Sequence, residues 1–131
     1  MSAVPEKLPE IADDVDQDVI DAYADLSGDY NPLHVDVEAG KAAGFGGTIA
    51  HGPIALQAFF RAATAWLGSD ALPQGSTVKV TYRAPVRPGD SIRCVTRELG
   101  HEDGVAAIDA ECVNQDEATV VSISASVPRA G

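Results

Sequence analysis

The sequence predicts an α+β fold in which an enclosed helix lies against an antiparallel sheet. Helical patterns come first, and from Thr77 onwards the chain changes to consecutive strand-like segments, an order that favours an antiparallel sheet. The longest helical stretch, opened by Gly52-Pro53 and running to Leu67, is apolar over most of its circumference. Such a helix must be largely covered by other structure.

The elements follow in order. Met1 to about Pro9 lacks periodicity and reads as a loose arm or an edge strand. Asp16 is placed to cap a helix whose apolar face is Val19, Ile20, Tyr23 and Ala24. That helix stops at Ser27-Gly28. Asp36 caps a second short helix running to Ala43, with Gly44 as its stop. Gly44, Gly46 and Gly47 form a pliable loop around Phe45 that lacks the GK[ST] ending of a phosphate-binding loop. In the long helix Pro53 takes a tolerated first-turn position, and Gln57, Arg61 and Thr64 make one narrow polar stripe. Thr77–Ala84, Ser91–Leu99, Val105–Asn114 and Thr119–Val127 are the predicted strands. Turns are expected at Pro85…Asp90, at His101–Gly104, where His101 should be exposed, and at Gln115–Glu117. Ser122, Ser124 and Ser126 alternate with Val121, Ile123, Ala125 and Val127, giving one polar and one packed face.

The totals narrow the function classes. At 131 residues the chain is read as a single domain. Hydrophobic residues make up 45% and charged ones 22%, an ordinary globular composition. A net charge of −11 argues against nucleic-acid binding, which needs a basic face. Cys94 and Cys112 fall in strand-like stretches and read as buried free thiols of a reducing compartment. The acidic, proline-bearing start shows no signal peptide, and the near-apolar run Pro53–Leu67 is too short to span a bilayer, so a cytoplasmic location is expected. No His, Cys and carboxylate set has metal-ligand spacing, so no metal is expected.

The chemistry concentrates between Tyr23 and Gly52. Gly28 permits a sharp turn just before Asp29, and Pro32 pushes Asn31 towards an extended conformation, so Asp29, Asn31 and His34 are expected in a segment that is not a regular helix. Folding back there would bring a carboxylate and an imidazole together around one water, within reach for general acid–base work. Taken singly, each residue reads better as part of a capped turn.

Taken together, the residues match a pattern. Tyr-x-x-x-Ser-Gly-Asp-x-Asn-Pro-Leu-His runs from Tyr23 to His34, followed by GFGGTIAHG ending in Ala50-His51-Gly52. This resembles the MaoC-like dehydratases, the (R)-specific enoyl-CoA hydratases of the hot dog fold, over most of the chain after about Val15. The resemblance implies a single hot dog, with the long central helix wrapped by a curved antiparallel sheet and a helical hydratase overhang. It implies reversible hydration of trans-2-enoyl thioesters, on CoA or acyl-carrier protein, by a hydro-lyase that needs no cofactor because the thioester is the electron sink. A homodimer, or a heterodimer with a related hot dog subunit, is implied as well. Asp29 would be the water-activating base and His34 its partner and proton donor, with Asn31 orienting water or substrate. Gly52, at the head of the long helix, would offer an unobstructed backbone N–H to the thioester oxygen.

Phe45, His51, Ile54 and Arg83 are the substrate-binding candidates, His51 more as a shaper of the turn. Lys79, Arg83 and Arg87 are candidates for CoA phosphates, although ordinary solvated charges are the favoured reading of them. Arg61 reads as a buried anchor or an interface contact. Two departures from the family pattern stand out: Gly40, expected to loosen its short helix, and an N-terminus in which an edge strand is missing or abbreviated. The alternatives are an acyl-thioesterase on the same fold, or a non-catalytic acyl-thioester-binding subunit.

Overall fold

The computed structural model describes residues 6–129. Its elements are β1 (Asp13–Val15), α1 (Gln17–Ser27), α2 (Pro32–Val35), α3 (Val37–Ala42), α4 (Gly52–Leu67), β2 (Thr77–Tyr82), β3 (Asp90–Glu102), β4 (Val105–Val113) and β5 (Thr119–Pro128). The strands form one antiparallel sheet in the order β1-β3-β4-β5-β2. Helix α4 packs against β3, β4 and β5. This is the expected α+β architecture.

The core lies between α4 and the inward face of the sheet. Alternation along β4 and β5 buries Ile108, Ala110 and Cys112, and Val121, Ile123, Ala125 and Val127. Facing them, α4 buries Ile54, Ala55, Ala58, Phe59, Ala62 and Ala63, so small residues let the sheet approach and Phe59 fills the centre. Gln57 and Arg61 stay exposed on the polar stripe, and Thr64 turns its hydroxyl back to the Phe60 carbonyl at 2.8 Å. Arg61 is an ion-pair partner of Asp13 on β1 rather than a buried anchor. Cys94 and Cys112 are directly opposed on β3 and β4, fully buried and unbridged.

Four expectations need correction. The edge strand is Asp13–Val15 rather than a segment within the first nine residues; residues 1–5 lie outside the described residues. Leu8 is nonetheless packed, with its N–H on the Thr96 hydroxyl at 2.9 Å. The segment holding Asn31 and His34 does contain a helical turn, α2, because Pro32 pre-sets the angles of its first residue and Asn31 caps it at Leu33 N, 3.0 Å away. Strand β3 runs on to Glu102, so the β3–β4 turn shrinks to Asp103-Gly104, both at positive φ (53° and 77°). His101 therefore sits in a strand rather than in the turn, exposed as expected and 2.5 Å from the Glu6 carboxylate. Gly40, finally, is a packing requirement. It is buried, and a Cβ there would stand 1.8 Å from the Gly47 carbonyl oxygen.

Candidate active site

Helix α1 ends where Gly28 adopts the left-handed conformation (φ 77°) and returns its N–H to the Ala24 carbonyl at 2.8 Å. A ladder of short side-chain turns then carries the chain to His34. The Ser27 hydroxyl takes the Asp29 N–H at 3.1 Å, Asp29 Oδ1 takes the Asn31 N–H at 3.2 Å, and Asn31 Oδ1 takes the Leu33 N–H. Each of these residues is a turn former, and the ladder leaves Asp29 Oδ2 free of the backbone. It faces His34 Nε2 at 3.8 Å. Asn31 spends its carbonyl on the cap.

The two side chains differ in exposure, His34 at 14% and Asp29 at 52%. His34 Nδ1 lies 2.8 Å from the Ile49 carbonyl, which can only accept, so Nδ1 carries a hydrogen and Nε2 is bare in the neutral ring. A bare Nε2 and a carboxylate oxygen are both acceptors, and 3.8 Å is too long for a direct hydrogen bond. A water between them can donate to both. His51, buried at 3%, stacks on His34 with ring centres 3.7 Å apart and bonds the Asp29 carbonyl through Nε2 at 2.9 Å. Its Nδ1 is buried without a partner among the described residues.

Folding assembles a group that spacing did not reveal. Ligand atoms of Asp29, His34 and His51 all lie within 4.8 Å of one another. The two imidazole planes are only 24° from parallel, however, so their in-plane lone pairs do not meet at a common point within bonding distance. Stacked rings of this kind differ from the converging ligands of a metal site.

A cleft of about 520 Å³ opens beside His34, lined by it and by Phe45, His51, Gly52, Tyr82 and Arg83 among others. Gly52 is the first residue of α4, and its N–H has no acceptor among the described residues. The expectation of an open approach there needs amending. The space a side chain would fill at Gly52 is taken by the Tyr82 ring, 2.8 Å from an ideal Cβ. Ile54 is turned elsewhere, lining a separate groove with Val15, Tyr23 and Leu26. Arg83 also lines a second, outer-face groove with Lys79 and Arg97. The Arg87 guanidinium donates to the Phe45 carbonyl at 3.2 Å and so ties down the glycine-rich loop. The sequence reading passed over Gln17 and Tyr82. Gln17 and Thr48 are joined at 2.6 Å across 31 residues, a separation at which no local pattern exists to find them.

Residues 3–120 match the model of the MaoC like domain. The chain belongs to this family. Among curated relatives of this MaoC-like protein, the 3-hydroxyacyl-thioester dehydratase Z of Mycobacterium tuberculosis is 33% identical over 92 residues, 68% of this chain and 61% of that one. A probable dehydratase of Ajellomyces capsulatus is 36% identical over 75 residues, 57% of this chain and 20% of that one. The chain thus spans less than two thirds of either relative. Among solved structures, the (R)-hydratase from A. caviae involved in PHA biosynthesis superposes with TM-score 0.78 at 23% identity, covering 96% of both chains. The ChsH1–ChsH2 complex from Mycobacterium tuberculosis gives 0.81 at 20%, over 99% of this chain and 100% of that one. At these identities the likeness shows the hot dog fold.

Proposed function

We propose that this MaoC-like protein is a hydro-lyase that reversibly hydrates trans-2-enoyl thioesters to (R)-3-hydroxyacyl thioesters. The observation that carries the reading is the Asp29 Oδ2–His34 Nε2 pair, 3.8 Å apart, with His34 lining a cleft headed by the free amide of α4. The names of the relatives, dehydratases and an (R)-hydratase, favour the same class.

In the proposed reaction a water held between the two acceptors attacks C3 of the enoyl group. Its departing proton goes to the pair. Electrons from the double bond collect on the thioester oxygen, and the resulting enolate takes a proton from the pair at C2. The Ile49 tether leaves His34 Nε2 bare in the neutral ring, so His34 donates only after it has accepted. The pair therefore acts as one unit, and a fixed assignment of base to Asp29 and acid to His34 is unnecessary. Gly52 N–H, at the positive end of α4, supplies a donor to the enolate oxygen, worth about 3 kcal/mol of barrier. Lys79 and Arg83 have no carboxylate partner among the described residues and suit the phosphates of the thioester carrier. The exposed edge of β2, which ends in Tyr82 beside the cleft, suits pairing with a second hot dog subunit.

Asp29→Asn and His34→Gln are each expected to lower kcat for hydration of a crotonyl thioester by about 10²- to 10⁴-fold. Thermal melts should stay close to wild type. Full activity in both variants would remove the pair from the chemistry. Release of free thiol instead of enoyl-group loss would mark a thioesterase.

A further inference from the structure

Gln17 is the first residue of α1, directly after the Asp16 cap, and its side-chain amide is used in full. Nε2 donates to the His34 carbonyl at 2.9 Å and to Asp21 Oδ1 at 2.9 Å, while Oε1 accepts the Thr48 hydroxyl at 2.6 Å. The amide orientation follows from its partners, because a carbonyl and a carboxylate can only accept. Thr48 is 4% exposed and immediately precedes Ile49, the residue whose carbonyl holds His34 Nδ1–H. Ile49 N–H in turn donates to the Leu33 carbonyl at 2.9 Å. A single side chain on α1 is thus bonded to both anchors of the imidazole: its own main chain, and the segment carrying the carbonyl that sets its tautomer.

We infer that Gln17 is the positioning residue of the Asp29–His34 pair, holding the bare Nε2 of His34 towards Asp29 by fixing the His34 backbone and the Thr48–Ile49 segment together. The inference rests on the acid–base reading of the pair. Without this strut the ring loses its fixed distance to the Ile49 carbonyl. It then samples the other tautomer, in which Nε2 carries the hydrogen and cannot accept from water. A misplacement of about 1 Å at a reacting group costs on the order of 10²-fold in rate.

The test uses Gln17→Met, which keeps the length and removes the bonds, and Gln17→Glu, which at neutral pH keeps the acceptor for Thr48 but cannot donate to His34. Both should lower kcat for enoyl-thioester hydration by about 10- to 100-fold at neutral pH, with KM changed less than about threefold. The activity of Gln17→Glu relative to wild type should recover as pH falls through the introduced carboxyl's pKa, which the facing Asp21 carboxylate and His34 carbonyl hold above the ordinary value of about 4.3, because the carboxyl then regains a hydrogen to donate. Ring-¹⁵N spectra should show one His34 tautomer, Nδ1–H, in the wild type and a mixture in Gln17→Met. A purely structural role would move the melting temperature and leave tautomer and pH ratio unchanged. Wild-type kcat in both variants, or a pH-independent ratio with an unmixed tautomer, overturns the inference. If Gln17→Met fails to fold, Gln17→Glu carries the same kinetic test. His34→Gln separates the two levels of argument: an active His34→Gln removes the acid–base reading itself, whereas an inactive His34→Gln beside a fully active Gln17→Met removes only the positioning role.

Discussion

Gly40 shows how one missing methyl group can be required by a distant backbone. It lies on α3, where glycine is intrinsically a poor helix residue, by about 1 kcal/mol relative to alanine. By propensity alone, Gly40→Ala would stabilise the helix. The carbonyl of Gly47 lies 1.8 Å from the position of that methyl group, and a main-chain carbonyl cannot swing aside as a side chain does. Gly40→Ala is therefore expected to destabilise the fold by about 1–3 kcal/mol, read as a lower melting temperature. It should also loosen the loop that carries Phe45 and Thr48. An unchanged or raised melting temperature would show that the 44–47 loop yields freely. His51 teaches a related lesson at this scale. As a sequence feature it reads as a turn residue; in the fold it is also the platform on which His34 stacks.

Helix α1 shows what an element contributes beyond its own stability. Asp16 accepts the Val19 N–H at 2.8 Å, Gly28 closes the other end, and Ile20 and Ala24 are its buried residues, while Leu26 is 85% exposed. So small a buried face makes the cap a large share of what holds the helix in place. Asp16→Ala should cost about 1 kcal/mol, measured by chemical denaturation. Because Gln17 follows the cap directly, hydrogen exchange at α1 should rise in the same variant, and exchange confined to the sheet would contradict this coupling. Helix α2 makes the opposite point. Its single turn has no buried residue, and its one-turn geometry comes from Asn31 and Pro32, which together set where His34 stands.

For the molecule as a whole, the sheet fixes charge as well as shape. Glu111 on β4 accepts the Thr119 hydroxyl of β5 and Arg97 Nε of β3 at 3.0 Å, clasping three strands. The Thr119 hydrogen bond, then Arg97, hold its carboxyl below the usual carboxylate range. A carboxyl with a lowered folded pKa adds stability that is fully present above its unfolded value, about 4.3, and is lost as pH falls through the folded one. Glu111→Gln should therefore lower the melting temperature at pH 6–7, and the gap to wild type should close as pH drops below about 4. A gap constant with pH would mean that the clasp contributes through packing alone. Removing one carboxylate also takes the net charge from −11 to −10, a small relief of self-repulsion that works against the expected loss.

What could be read in the chain was whatever local geometry or period dictates. Strand alternation, the apolar girth of α4, the Asp16 and Asp36 caps and the Ser-Gly-Asp-x-Asn-Pro-Leu-His signature all act within a few residues, so the α+β class and the candidate pair followed from them. Tertiary structure decided the contacts between segments far apart in sequence: Gly40 against Gly47 across a loop, Gln17 on Thr48 across 31 residues, Tyr82 in the space beside Gly52, and His101 on Glu6. Those depend on the path of the folded chain rather than on any residue's own preference. The same holds for the distance that matters most here, because the His34 ring is oriented by the Ile49 carbonyl, fifteen residues on, and not by its neighbours in the motif.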